Sequence, residues 1–262
     1  MAVTLREAKA GRKGASEGAA APAAEAAARI DLAAALRLAV RFGLNEGIDN
    51  HFSLALPGAP DRFLLNPWGF HWDEVRASDL LVVDAGGRLV SGAGEAEATA
   101  FFIHARIHRG NPHAACVLHT HMPHATALTT LANGRIEPIS QSAMRFWGEV
   151  AYYDDYNGLV LDEAEGDRIA AALGEKRVLF LANHGVIVVG ETVARAFNDL
   201  YHLERVCQLQ AIAMATGRPL RRLTAAAIAT TARQIAAERE NAALHFAALK
   251  RLLDRDGVNY AE

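Results

Sequence analysis

The sequence is poor in several features that mark particular classes of protein. It has only two cysteines, Cys116 and Cys207, in 262 residues. Both lie in apolar patterns typical of buried thiols in a reducing compartment, not of a disulfide framework. The formal net charge is only −3, without a lysine or arginine stripe, which leaves no electrostatic basis for binding nucleic acid. No apolar run reaches the length of a membrane span, so we expect neither nucleic acid nor a membrane as a partner.

The N-terminal stretch also lacks targeting signals. It contains no hydrophobic signal core, and the acidic Glu7 and Glu17 are atypical of a transit peptide, so we expect a cytoplasmic location. Residues 1–24 are rich in Ala, Gly, Lys and Glu without apolar periodicity, which predicts a disordered tail. We expect one domain over residues 25–220 and a helical C-terminal extension over residues 221–262.

Hydrophobic residues make up 51% of the chain, which is enough for a substantial core. Gly-rich turns join neighbouring strand-like runs directly, and this favours antiparallel pairing. The apolar periodicity predicts helices over 24–40, 95–109, 122–131, 162–173, 192–216 and 225–253, and strands over 51–56, 62–65, 79–84, 88–90, 115–119, 177–182 and 186–189. This order predicts an α/β fold in which helices cover a mixed sheet.

Histidines are concentrated in one part of the chain. Six of the eleven lie between His104 and His124, and His119-Thr120-His121 ends a strand-like run. Residues two apart in a strand face the same side, so His119 and His121 can aim two imidazoles at one point. Ordinary core or surface histidines are the alternative interpretation, because an HxH pattern alone is weak evidence of a metal site.

A second polar break, Asn183-His184-Gly185, lies between two apolar runs. A histidine at a strand-end turn, with glycine beside it, is placed to approach a site closely, although an exposed turn would give the same pattern. With the HxH pair it supplies three neutral imidazoles, and catalytic metal sites commonly have three protein ligands and an open position. His104 and His108, one helical turn apart, are interpreted as outer partners or core residues and alternatively as further ligands.

These motifs resemble the class II aldolase/adducin family over about residues 29–220. The matching segments are residues 47–53 (GIDNHFS), residues 65–69 (LNPWG), the His104 helix with Asn111-Pro112, residues 117–121 (VLHTH), and residues 183–185 (NHG) before a long helix. The resemblance implies a three-layer α/β/α fold with a mostly antiparallel central sheet. It also implies a homotetramer with sites at subunit interfaces, and one divalent metal ion held by His119, His121 and His184. We favour zinc, with manganese, iron or cobalt as alternatives.

The chain departs from the family's sugar-phosphate aldolases at two places. Their acid/base Glu, at the start of the helix that carries His104, is replaced by Ala100. Their phosphate-binding hydroxyl and Gly residues are replaced at positions that include the apolar Ile48, Trp68 and Ala98. These replacements remove hydrogen-bond donors and add apolar area, which predicts a substrate that is not phosphorylated and that has an aromatic or other apolar part.

Several residues are candidates for the remaining roles. Glu97 is the nearest carboxylate to Ala100 and a candidate acid/base, although a first-turn Glu also simply favours the helix dipole. Tyr152 belongs to a polar-aromatic cluster that lines the site or forms a loop, and Arg145 could pair with a substrate carboxylate. The candidate catalytic residues are Glu97 and Tyr152, and the candidate substrate-binding residues are Asn50, His51, Trp68, Gly69, Thr99 and Arg145.

Without a carboxylate ligand, the metal would keep its full charge and favour an anionic, bidentate substrate. We therefore expect a metal-dependent C–C lyase, an aldolase or decarboxylase, that acts on a small non-phosphorylated oxo or hydroxy acid through an enolate-like intermediate. A non-haem Fe(II) oxygenase on the same scaffold is one alternative. A non-enzymatic interaction module like the adducin head domain is another, motivated by the missing Glu.

Overall fold

The computed structural model describes residues 20–238 and 240–262. Residues 1–19 of the predicted disordered tail lie outside the described residues. For residues 20–24 the prediction is wrong, because the first helix begins at Ala20. The helices are α1 (Ala20–Arg41), α2 (Ala98–Gly110), α3 (Pro123–Thr129), α4 (Glu163–Leu173), α5 (Val193–Ala215), α6 (Ala225–Ala237) and α7 (Asn241–Arg255). The strands are β1 (His51–Leu56), β2 (Ala59–Leu65), β3 (Leu81–Asp84), β4 (Leu89–Ser91), β5 (Cys116–Thr120), β6 (Val150–Tyr153), β7 (Val178–Leu181) and β8 (Gly185–Gly190).

These strands form one sheet in the order β4-β3-β2-β1-β5-β8-β7-β6. Neighbouring strands are antiparallel except β6 and β7, which are parallel. The prediction of a mostly antiparallel sheet is therefore confirmed. β5 and β8 lie side by side in the sheet, so the histidines at the ends of these strands meet.

Helices cover both faces of the sheet. Alternate residues of β5 show the division, because Leu118 packs into the core beneath α1, α5 and α7 whereas Val117 packs against α2 and α4. The largest buried side chains include Trp72 and Phe197 on the first face. The three-layer α/β/α arrangement is confirmed, and burial of its apolar area is its main source of stability.

Two elements differ from the prediction. The single C-terminal helix expected over residues 225–253 is two helices, because the backbone leaves helical geometry at Glu238. α7 then packs against α5, and the backbone N–H of Ala77 donates to the carbonyl of Tyr260 at 2.9 Å, so the C-terminal residues pack against the sheet-bearing part of the structure. β6 was not predicted, since its pairing with β7 is a long-range contact. Among the described residues, no helix combines the length and the apolar composition that crossing a bilayer requires.

Candidate metal centre

The end of β5 positions the first two predicted ligands. His119 is buried, and its Nδ1 lies 3.0 Å from the carbonyl oxygen of Val186. Since a carbonyl can only accept, Nδ1 carries the proton and Nε2 is left with a lone pair. In His121, Nδ1 lies 2.6 Å from a carboxylate oxygen of Glu46, which fixes the same tautomer. Both imidazoles are thus held in the form that coordinates a metal through Nε2.

The third predicted ligand, His184, lies in the turn that joins β7 to β8. Asn183 before it has a left-handed φ of 55°, which Asn adopts more readily than most residues. Gly185 after it is required by close packing, since a Cβ there would lie 2.6 Å from the carbonyl oxygen of Thr120 and 2.7 Å from Cδ2 of His121. The Asn-His-Gly sequence therefore lets the turn approach the end of β5 closely.

The three histidines converge on one point. One ring nitrogen from each lies within 4.8 Å of those from the other two. Nε2 of His121 is buried and has no hydrogen-bond partner among the described residues. A buried lone pair without a donor is unfavourable, and coordination of a cation would satisfy it. Burial lowers the pKa of His119 well below its ordinary value and, with the charge of His121 as a smaller cause, lowers the pKa of His184 to about 4. Neutral imidazoles are what metal binding requires, so these residues fit a divalent ion.

The three histidines lie in a cavity of about 330 Å³ between the ends of the strands and α2. Its wall combines polar groups near the histidines with an apolar rim. Ile48, Trp68 and Leu159 on that rim are 42%, 43% and 72% exposed. Exposure of neighbouring large apolar side chains to water is unfavourable and is typical of a binding surface. The lining residues are Ile48, Asp49, Asn50, His51, Asn66, Trp68, Glu97, Thr99, Ala100, His119, His121, Tyr156, Gly158, Leu159, Val160 and His184.

Glu97 and Ala100 both line this cavity. Glu97 is the N-cap of α2, where its carboxylate accepts hydrogen bonds from the backbone N–H of Thr99 and of Ala100. It therefore has the helix-terminal role considered for it. The same carboxylate faces the cavity, since its Oε2 lies 3.6 Å from Nε2 of His51. Glu97 can therefore cap α2 and face the cavity at the same time, so it stays a candidate acid/base.

His104 and His108 lie behind the cavity wall and do not belong to the group of three. His104 is fully buried on α2 and its Nε2 lies 2.7 Å from Nδ1 of His51. Burial lowers the pKa of His51 to about 3 and that of His108 to about 4. These positions agree with the interpretation of His104 and His108 as outer partners.

The structure corrects the expected position of three candidate residues. Tyr152 points to the opposite face of the sheet, where its hydroxyl accepts from the backbone N–H of Ile136 and its ring packs on Phe180. Strand alternation explains this, because the face of β6 could not be known before its pairing with β7. Arg145 lines a separate cavity of about 410 Å³ beside α5 and α6. Gly69 does not line the histidine cavity, although Trp68 before it does.

Sequence reasoning missed several residues of the site. Glu46 is one, because it lies 75 positions from His121 in sequence and no local pattern links the two. Tyr156 and Leu159 are others, contributed by the loop between β6 and α4. The cluster beginning at Tyr152 pointed to this segment, but the residues that reach the cavity lie further along it.

Glu46 provides a test of how the histidine set is held. We expect Glu46→Gln to weaken metal binding by about 10- to 100-fold, as loss of an outer-shell carboxylate does, because a neutral amide holds the His121 ring less firmly. Competition with a chelator of known affinity measures the change. Glu191→Gln is a matched control, since Glu191 is an exposed partner of Arg195 that lines the separate cavity beside α5 and not the histidine cavity. Equal affinities in both variants and the parent would show that Glu46 does not orient a ligand.

Comparison with known proteins identifies relatives of this chain. The family model described as Class II Aldolase and Adducin N-terminal domain matches residues 30–211. The decarboxylase NovR of Streptomyces niveus is 33% identical over 71% of this chain and 70% of its own. A solved aldolase II superfamily protein from Pseudomonas syringae is 36% identical, with a TM-score of 0.85 over 91% of this chain and 96% of that one. The L-fuculose 1-phosphate aldolase from Glaciozyma antarctica is 25% identical, with a TM-score of 0.81 over 95% and 97%.

Proposed function

This chain belongs to the class II aldolase and adducin family, and from that premise we propose that it is a metal-dependent C–C lyase. The reaction is an aldol cleavage or a decarboxylation of a small, non-phosphorylated oxo or hydroxy acid. The observation that carries this proposal is the convergence of His119, His121 and His184 in an accessible cavity. Relatives named as a decarboxylase and as an aldolase support the same class of reaction.

These three histidines would hold one divalent ion, with zinc favoured and manganese, iron or cobalt as alternatives. A bound ion supplies Lewis-acid polarisation of a carbonyl oxygen. The chain itself positions the substrate. The side-chain nitrogen of Asn50 is buried in the cavity wall without a partner among the described residues, and it is a donor for a substrate oxygen.

The cavity wall favours a substrate without a phosphate. Among the described residues no lysine or arginine lines it, whereas the carboxylates of Asp49 and Glu97 do. Away from the ion, a dianionic phosphate would meet these negative groups without a cationic side chain, whereas a carboxylate next to the ion would have a cationic partner. The exposed rings and aliphatic chains of Ile48, Trp68 and Leu159 would instead cover an apolar part of the substrate.

Glu97 is our candidate for the group that moves a proton. Ala100 has no titratable atom, and Glu97 brings a carboxylate into the same cavity from one turn earlier. Thr99 donates its hydroxyl hydrogen to Oε2 of Glu97 at 2.5 Å, which fixes the carboxylate toward the wall that contains His51. A carboxylate held in this way can accept a proton from the substrate and return it.

The alternatives fit the site less well. Non-haem iron oxygenases commonly use two histidines and one carboxylate, whereas the group here contains three histidines. An interaction module would not require three convergent imidazoles, one of which has a buried nitrogen without a hydrogen-bond partner among the described residues.

We also propose a cytoplasmic homotetramer, in which Leu209 and Ile212, 47% and 60% exposed on α5, would be covered by a neighbouring subunit.

The proposal is tested by turnover under nitrogen. Purified protein loaded with zinc, and separately with manganese, is incubated with a panel of 2-oxo and 2-hydroxy acids. We expect release of carbon dioxide or an aldehyde without oxygen, and loss of that activity on chelation. Turnover that requires iron and dioxygen would instead indicate an oxygenase, and no turnover by the metal-loaded protein would favour the interaction module.

A further inference from the structure

A buried chain of hydrogen bonds leads inward from the cavity wall. Nδ1 of His51 lies 2.7 Å from Nε2 of His104, and Nδ1 of His104 lies 2.5 Å from the hydroxyl of Ser53. The same hydroxyl lies 2.7 Å from Nε2 of His108, whose Nδ1 lies 2.8 Å from the carbonyl oxygen of Ala114. The chain, named here the histidine chain, thus joins β1 to α2 and ends on a backbone acceptor.

The carbonyl of Ala114, at the inner end of the histidine chain, determines which atom donates in each of its hydrogen bonds. The carbonyl of Ala114 can only accept, so the proton of neutral His108 lies on Nδ1 and its Nε2 accepts from Ser53. That hydroxyl has one hydrogen and therefore accepts in turn from Nδ1 of His104. Nε2 of His104 then has no hydrogen and accepts from Nδ1 of His51. The consequence is that Nε2 of His51 presents a lone pair to the cavity.

The opposite direction is less favourable. It would place a lone pair of His108 Nδ1 against the carbonyl oxygen of Ala114 at 2.8 Å, two buried acceptors with no proton between them. The carboxylate of Glu97 would favour a proton on Nε2 of His51, but the two atoms are 3.6 Å apart, beyond a hydrogen bond. The Glu97 side chain is also 35% exposed and can be solvated. The shorter, buried contact therefore decides the tautomer.

We infer that Nε2 of His51 and Oε2 of Glu97 form an acceptor pair that binds a hydroxyl group of the substrate. Oε2 of Glu97 already accepts from the hydroxyl of Thr99 and from the backbone N–H of Ala100, so the free lone pair is that of His51 Nε2. The negative charge of Glu97, 3.6 Å away across the same cavity, further favours a hydrogen-bond donor at this place. The substrate class rests on the proposed function, and it becomes a hydroxy acid rather than an oxo acid without a hydroxyl. His104, Ser53 and His108 are positioning residues, since they act by fixing the tautomer of His51.

The tautomer is measured directly by long-range ¹H–¹⁵N correlation spectra of full-length protein labelled with ¹⁵N-histidine. His51→Gln identifies the signals of His51. We expect Nδ1 of His51 to be protonated and pyrrole-like, and Nε2 to be unprotonated and pyridine-like. A proton on Nε2 in the parent protein would overturn the inference.

Two variants separate the hydrogen-bond direction from simple packing. Ser53→Ala cuts the histidine chain, so we expect Nε2 of His51 to gain a proton in a measurable fraction of molecules. His108→Gln keeps a donor for the carbonyl and an acceptor for the hydroxyl, so we expect it to preserve the parent tautomer. Thr126→Val, which also removes a buried hydroxyl, one with no partner among the described residues, is the control. An unchanged His51 signal in Ser53→Ala would contradict the proposed coupling.

Binding of a matched pair of probes tests the acceptor pair. The probes are 3-phenyllactate, which has a hydroxyl, a carboxylate and an apolar ring, and its O-methyl ether, in which a methyl group replaces the hydroxyl hydrogen so that the oxygen cannot donate. We expect metal-loaded parent protein to bind phenyllactate at least about tenfold more tightly, because the ether leaves a buried acceptor unpaired. The preference should fall toward one in Ser53→Ala and persist in Thr126→Val. Equal binding of the two probes by the parent, or no binding of either, overturns the inference.

The outcomes distinguish this inference from the proposed function. Absence of lyase turnover, with the His51 tautomer and the probe preference as expected, would reject the reaction and retain the acceptor pair. Turnover of oxo acids that lack a hydroxyl, with a protonated Nε2 on His51, would reject the acceptor pair and retain the lyase.

Discussion

Replacement of His184 by alanine should remove the bound metal and lower turnover by at least about 1000-fold. Metal Lewis-acid catalysis is worth several kcal/mol, and each 1.4 kcal/mol corresponds to a factor of about ten. His119 and His121, at the end of β5, leave an incomplete ligand set, because the third ligand is supplied by His184 from the turn between β7 and β8. Metal content by mass spectrometry and turnover of the reconstituted variant measure both effects.

His113→Ala is the control for that experiment. His113 is close in sequence to the metal ligands, but it lines the separate cavity beside α5 and its Nε2 contacts the carbonyl of Lys176. We expect the control to keep its metal and its activity. If His184→Ala retained one metal ion per chain, or if both variants lost metal equally, the assignment of His184 as a ligand would be wrong.

Glu97→Gln should lower kcat by about 100- to 10,000-fold while metal content stays near that of the parent, because a proton transfer contributes an effect of this size. Glutamine has nearly the same shape, and its single oxygen can still accept from one of the two backbone N–H groups that the two carboxylate oxygens of Glu97 cap. The helix should therefore persist, at a cost of at most about 1 kcal/mol from the weaker cap. Steady-state kinetics with the metal-loaded variant would measure kcat and KM separately.

Asp49→Asn provides the comparison, since Asp49 is the other carboxylate in the cavity wall. We expect a smaller loss of kcat than for Glu97→Gln, because Asp49 lacks the contact with His51 that Glu97 has. If the two variants exchanged these effects, Asp49 would be the acid/base. Full kcat in Glu97→Gln would remove the carboxylate at position 97 from the reaction.

Local sequence patterns predicted much of the fold and the centre of the site. β1 was predicted with its observed bounds, because its alternating apolar residues end at the turn that contains Gly58. His119 and His121 at the end of β5 could be paired because alternation along a strand is a local rule. The Asn-His-Gly turn could be recognised because left-handed backbone and close approach limit the residue types there. The remaining step, that the two segments meet, came from the family resemblance, which the family model confirms.

Long-range pairing explains what the sequence did not reveal. The face of the sheet to which Tyr152 points depends on the pairing of β6 with β7, and no local pattern fixes that register. The contact of Glu46 with His121 joins a loop to a strand end 75 positions away. The histidine chain likewise joins Ser53 on β1 to α2, so its hydrogen-bond direction becomes visible only when both elements are in place.

The central claim is that one divalent ion binds between His119, His121 and His184. Its most direct test is diffraction from crystals of zinc-loaded protein, with data collected above and below the absorption edge of zinc. The account predicts one anomalous peak per chain between the three imidazoles, about 2.0–2.1 Å from each coordinating nitrogen once the rings have closed on the ion. Absence of a peak there after reconstitution, or a peak held by other residues, would contradict the account.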